Sequence, residues 1–195
     1  MDKYRIRLTF VEPVLGTVPK DEEVYGQYIA GKAALTDEAL AEELSSVETI
    51  EEKGWTGFHK LADGQPMIYD YVIKGFFKDA CGMLRRVKGT QSVKLTAYRK
   101  VIDGLVFVNP RKIGLQVAGE MGVNERPLRA STAQGERVTL ARSDMCPAST
   151  SMEFEVLVLG GVDEALLREW LEYGALRGLG QWRNAGWGRF EYEIL

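Results

Sequence analysis

The sequence predicts an α+β fold in which an antiparallel sheet carries helices on one face. Three observations predict it: the chain opens on an alternating strand, KYRIRLTF, closes on another strand, GRFEYEIL, and between them places amphipathic helices among β-rich stretches. At 195 residues, with no internal repeat and no long linker, one domain over residues 1–195 is expected.

In the opening strand Tyr4, Ile6, Leu8 and Phe10 share one face, and Arg5, Arg7 and Thr9 the other, before Pro13 and Gly16 end it. LTDEALAEELSSV then reads as a short amphipathic helix, with Thr36 as N-cap, acidic residues in its first turn, and Leu40, Leu44 and Val47 buried. GWTGFHKLADGQPMIYD, with its Asp63-Gly64 turn, reads as a loop or hairpin. In YVIKGFFKDACGMLRRV the apolar positions Val72, Phe76, Ala80, Met83, Leu84 and Val87 approach helical spacing.

VKLTAYRKVIDGLVFVNPRKI is expected to form paired strands around Asp103-Gly104, a dipeptide suited to a tight hairpin turn, with Pro110 closing the unit. Further strands follow from Arg126, the last of them turning Met152, Phe154, Val156 and Val158 inward. GGVDEALLREWLEYGALRGLG gives a helix with Leu166, Leu167, Trp170 and Leu171 in one stripe, running into glycines before the final strand.

Composition narrows the function. With 45% hydrophobic and 27% charged residues, no long apolar run and no signal-peptide pattern at MDKYRIRLTF, the expectation is a cytoplasmic globular protein without a membrane span. Cys81 and Cys146 are far apart and lack metal-ligand spacing, so both read as buried thiols, and no metal or cofactor is expected. Charge is unevenly placed along the chain. Residues 21–53 carry ten acidic and two basic residues, whereas residues 74–100 carry eight basic and one acidic, Asp79. The basic stretch also contains Phe76, Phe77 and Tyr98, the mixture in which cations meet phosphates and rings meet bases.

The most specific stretch is GLGQWRNAGWG, residues 178–188, in which two Gly-apolar-Gly clamps flank five residues that include a tryptophan and an arginine. This pattern resembles the C-terminal glycine-rich loop of the RAMP superfamily, the RNA-binding proteins of CRISPR effector complexes and their processing nucleases. DGQPMIYDYVIKGFFKDACGMLRR is similar to that superfamily's G-x-P-y-I-P-G-S-S-x-K-G-x-x-R region, with Lys74-Gly75 on its KG and Lys78 on its Arg, though Pro-Gly-Ser-Ser is missing. DMCPASTSMEFEVLV resembles its E-x-V-P-x-G-T-x-F stretch, with Ala148-Ser149 read on Gly-Thr.

The resemblance implies a ferredoxin-like sheet, related to RNA-recognition motifs, with insertions, and single-stranded RNA on a basic, glycine-lined face. Lys74, Lys78, Arg85 and Arg86 would supply charge, and Arg177 and Arg183 would pair with phosphate. The backbone of Gly178, Gly180, Gly186 and Gly188 would form an anion-binding nest, and Trp182 would stack on a base. Trp187 leads straight into the last strand and reads as core. The expected partners are single-stranded RNA and, through the charge asymmetry, further copies of the chain or other effector subunits.

Two alternatives remain. The sole histidine, His59, would serve as general base in a metal-independent endoribonuclease of the same fold, and Asp63 and Asp70 stand in no recognisable catalytic pattern. A phage or prophage structural or interaction protein would keep the fold without RNA binding. Serine-hydrolase, zinc, dinucleotide and Walker motifs are absent.

Overall fold

A computed structural model describes residues 1–21, 54–132 and 135–195, with the backbone alone for residues 128–132 and 135–139. The expected helix at Thr36–Val47 lies outside the described residues.

The opening strand β1 (Asp2–Phe10) buries Ile6, Leu8 and Phe10 on one face, as its alternation requires. Short strands β2 (Val14–Leu15) and β3 (Val18–Pro19) follow it. Beyond them come β4 (Trp55–Gly57), β5 (His59–Lys60) and β6 (Pro66–Tyr69), the last two forming the hairpin expected around Asp63-Gly64. Helix α1 (Asp70–Leu84) starts directly from β6 and buries Ile73, Phe76, Phe77, Ala80 and Cys81.

Met83 and Val87, read from spacing as part of the buried stripe, are instead 43% and 51% exposed. Phe76 and Ala80 of the expected stripe are buried, and Ile73, Phe77 and Cys81 beside them widen the buried face. Phe76 and Phe77 are likewise core side chains and offer no ring to a base.

Residues 98–105 depart from the expected hairpin. Tyr98–Leu105 is a helix, α2, and Asp103-Gly104 lies in its last turn. Tyr98, Val101 and Ile102 share one face of the helix, so burying Ile102 with Tyr98 and Val101 against the core outweighed the dipeptide's turn preference. Strand β7 (Val106–Asn109) follows without a break, then β8 (Lys112–Gly114). A 3-10 turn at Gln91–Lys94 precedes α2.

The remaining elements are the long hairpin β9 (Gly122–Thr132) and β10 (Gly135–Cys146), β11 (Ser151–Val158), α3 (Glu164–Arg177) and β12 (Phe190–Ile194). The Asp163 carboxylate caps α3 by accepting from the Leu166 N–H at 2.8 Å.

The main sheet runs β12-β1-β11-β7, antiparallel at each pairing. With α1 between β1 and β7, and α3 between β11 and β12, this is the β-α-β-β-α-β order of a ferredoxin-like fold. Ile6, Leu8, Phe10, Met152, Phe154, Val156 and Val158 bury against both helices, where Phe77 meets Trp170 with ring centroids 5.5 Å apart. A second sheet, β2-β10-β4-β3 with β9 on β10, and a third, β5-β6-β8, are the insertions.

At the start of β11, Ser149 has positive φ (68°) and Thr150 is fully buried.

Candidate nucleic-acid interface

The glycine loop begins where α3 ends at Gly178 and ends at Gly188, and its two clamps pair with each other. The Leu179 N–H donates to the Gly188 carbonyl at 2.9 Å, and the Gly188 N–H donates to the Pro13 carbonyl at 2.9 Å. All four clamp glycines have positive φ. At Gly188 a Cβ would collide with the Leu179 carbonyl oxygen, and at Gly178 with that of Trp187, so glycine is required at both. Leu179 is buried between the clamps.

The N–H groups of Gly178, Gly186 and Gly188 each donate to a backbone carbonyl, of Gly174, Arg183 and Pro13 respectively. These glycines therefore do not form the expected open nest. Gly178 and Gly188 let two backbone segments approach closely, and Gly186 closes the turn of the five residues 181–185 between them.

The crest formed by these five residues is braced from the second sheet. Ser143 on β10 donates to the Gln181 amide oxygen at 3.3 Å, and Thr56 on β4 shares a 2.8 Å hydrogen bond with Ser143. Nearby, the Lys20 ammonium lies 2.8 Å from Asp144, which also accepts from the Trp55 indole N–H at 2.8 Å. This largely buried group ties β3, β4 and β10 together. Trp182, half-buried with φ 60°, lies against the Arg126 guanidinium of β9, and burial pushes that guanidinium down to about 10. Trp187 is half-buried beside Pro13 and Arg189, and the Arg177 guanidinium donates to Asn184 within the loop.

Arg183 leaves the crest and reaches α1, where its guanidinium meets Asp79 at 2.9 Å. Asp79 lies in a groove of about 480 Å³ between α1 and α2, lined by Lys78, Arg86, Arg99, Tyr98, Met83 and Asp103 among others. One face of α1 forms the floor, since Gly75, Asp79, Gly82 and Met83 recur at helical spacing, and Arg86 extends it past the helix end. The bare Gly82 admits the Tyr98 ring, whose hydroxyl a Cβ there would meet at 2.8 Å. Tyr98 also receives the Arg85 and Arg99 guanidiniums, 5.3 and 5.9 Å from its ring centre. Lys78 pairs with Asp103 at 2.6 Å.

The groove wall is fixed from beneath. The Glu169 carboxylate of α3 accepts from the Ser92 N–H at 3.0 Å, and the Trp170 indole donates to the Ser92 hydroxyl at 3.0 Å, pinning the turn that leads into α2.

The site residues expected from sequence thus divide. Lys78, Arg86 and, through Asp79, Arg183 converge on the groove, with Arg85 beside it on Tyr98. Lys74 points toward β7, donating to the Asp103 carbonyl at 3.0 Å and lying over Phe107, and burial lowers its affinity for a proton. Arg177 stays with the loop.

His59 is 3% exposed, with its ring edge-on to Tyr69 at 4.7 Å. A buried imidazole does not reach a 2′-hydroxyl in this conformation. The cysteines are free and buried, and burial pushes the Cys146 thiol up to about 12.

Arg99, Asp79 and Asp103 were not singled out as groove residues from sequence. For Asp79 the signal was legible, because it falls four residues after Gly75 and four before Met83 on the exposed side of α1. Arg99 and Asp103 were hidden by the hairpin reading of α2.

The outer face of the main sheet has a different character. Lys3 pairs with Glu155, Arg5 and Arg7 with Glu153, and Arg7 with Glu193. The Arg7 and Arg5 side chains hold the Glu153 carboxyl below the usual carboxylate range.

No protein-family model matches the chain, and no curated protein matches it. Among solved structures, it is similar to a chain of a type IV-B CRISPR complex, with TM-score 0.52 and 12% identity, over 100% of this chain and 90% of that one. It is also similar to a chain of the type III-B Cmr-beta complex bound to cognate target RNA, studied by cryo-electron microscopy. There the TM-score is 0.51 and the identity 12%, over 99% of this chain and 61% of that one.

The fold is shared with these chains of CRISPR complexes. The ferredoxin-like core comprises the β12-β1-β11-β7 sheet with α1 and α3, and the glycine loop sits between α3 and β12. Among the described residues no cluster of three or more His, Cys, Asp or Glu could hold a metal ion, and no helix is long and apolar enough to cross a membrane.

Proposed function

We propose that this chain binds single-stranded RNA as a non-catalytic subunit of a CRISPR-effector-like assembly. The observation that carries the reading is that Lys78 of α1 and Arg86 just past its end line one groove whose Asp79 pairs with Arg183 of the glycine loop, about a hundred positions away in sequence. Arg99 and Tyr98 add a cation and a half-buried ring, suited to phosphate and base respectively. The Cmr-beta neighbour, which is bound to target RNA, and the type IV-B complex support RNA and other effector subunits as partners.

One observation favours a second reading, that of an interaction protein that keeps the fold without RNA binding. Arg183 and Lys78 are each paired with a carboxylate of the chain itself. Binding of fluorescent single-stranded RNA over a salt series separates the two. RNA binding predicts steep weakening with salt, and Lys78→Ala and Arg183→Ala each flatten the slope by ~0.7 for one lost phosphate contact. No binding at low salt selects the interaction protein.

A further inference from the structure

We infer that Asp79 is a specificity-determining residue that accepts a hydrogen bond from a ribose 2′-hydroxyl and so selects RNA over DNA. This rests on the RNA-binding reading above and concerns how the same groove discriminates.

A carboxylate is a poor component for a groove that takes only phosphates. It repels them and offers them no donor. Asp79 nevertheless lines the middle of the α1 floor, flanked by the cations Lys78 and Arg86. What an ionised carboxylate can receive is a hydrogen-bond donor. The sugar-phosphate backbone of RNA carries one at every residue, the 2′-hydroxyl, and that of DNA carries none.

The surroundings suit this role. Gly75, one helical turn before Asp79, leaves open space where a Cβ would stand, with nothing within 4 Å, so a sugar can lie close to the helix. The Arg183 guanidinium holds Oδ2 of Asp79 at 2.9 Å, which fixes the carboxylate and offsets its charge toward neighbouring phosphates. Its second oxygen, Oδ1, is the acceptor assigned to the hydroxyl. Asp103, the other carboxylate of the groove, is more exposed and is held by Lys78.

The test uses the full chain with oligouridine and oligodeoxyuridine of equal length, so that the base is the same and only the hydroxyl differs. Variants are Asp79→Ala, Asp79→Asn, which keeps an acceptor oxygen, and Arg183→Ala. The expected wild-type preference for RNA is about tenfold, equivalent to about 1.4 kcal/mol. Asp79→Ala brings it within about twofold, with DNA affinity unchanged or raised, and Asp79→Asn retains part of it. Thermal melts confirm that each variant is folded.

Equal loss of RNA and DNA affinity in Asp79→Ala overturns the inference, since Asp79 would then only position Arg183. So does an unchanged preference, or equal binding of both oligomers by the wild type. The RNA-binding reading fails separately, through absence of binding to either oligomer or insensitivity to Lys78→Ala.

Discussion

The clamps and the crest of the glycine loop are adjacent in sequence and opposite in physical character. In the clamps the backbone is the functional part. Gly178 and Gly188 face carbonyl oxygens across a gap that excludes any side chain, and their N–H groups are engaged within the protein. In the crest the side chains carry the interest. Trp182, Arg183 and Asn184 project from a 3-10 turn and reach Arg126, Asp79 and Arg177. A single glycine-rich motif therefore contains a structural joint and a presented surface, and Gly178 and Gly188 belong to the joint.

Substitution at the joint sharpens this division most. Gly188→Ala combines a Cβ collision with backbone strain at positive φ, and an expected loss of about 3–5 kcal/mol should appear as a lowered urea midpoint with a similar m-value. A loss below about 1 kcal/mol would show that the clamp can open without cost, and the contrast with the crest would fail.

The brace beneath the crest should come next. Asp144→Ala leaves the Lys20 ammonium buried without its carboxylate, and the expected loss is also about 3–5 kcal/mol, at the lower end where water reaches the site. Because β10 holds Gln181 through Ser143, RNA affinity should weaken as well, measured well below the melting temperature.

The smallest effect is expected on the crest. Asn184→Ala removes an exposed hydrogen bond to Arg177, and the melting midpoint should shift by no more than about 0.5 kcal/mol equivalent. A larger shift would make the crest part of the joint.

Much of the core was legible because it rests on local periodicity. The alternation in β1 and β11 and the Leu166, Leu167, Trp170, Leu171 stripe each state which face is buried, and the structure buries those faces. The α2 segment was misread because a turn dipeptide and an amphipathic spacing compete within eight residues. Only packing against the core favours one over the other. The glycine loop was legible as a motif, but its glycines read equally well as an anion nest or as a backbone joint until their hydrogen-bond partners were known.

By itself the sequence determined the α+β class, the first and last strands, the helix that delivers the glycine loop and the concentration of basic residues between Lys74 and Lys100. These follow from local periodicity, capping and charge, which act over a few residues. The tertiary structure decided what meets across long separations: the β12-β1-β11-β7 order, the collapse of the two clamps onto each other and the pairing of Arg183 with Asp79. Such contacts depend on which apolar faces can be buried together and where the backbone donors find acceptors, conditions satisfied by the folded chain as a whole.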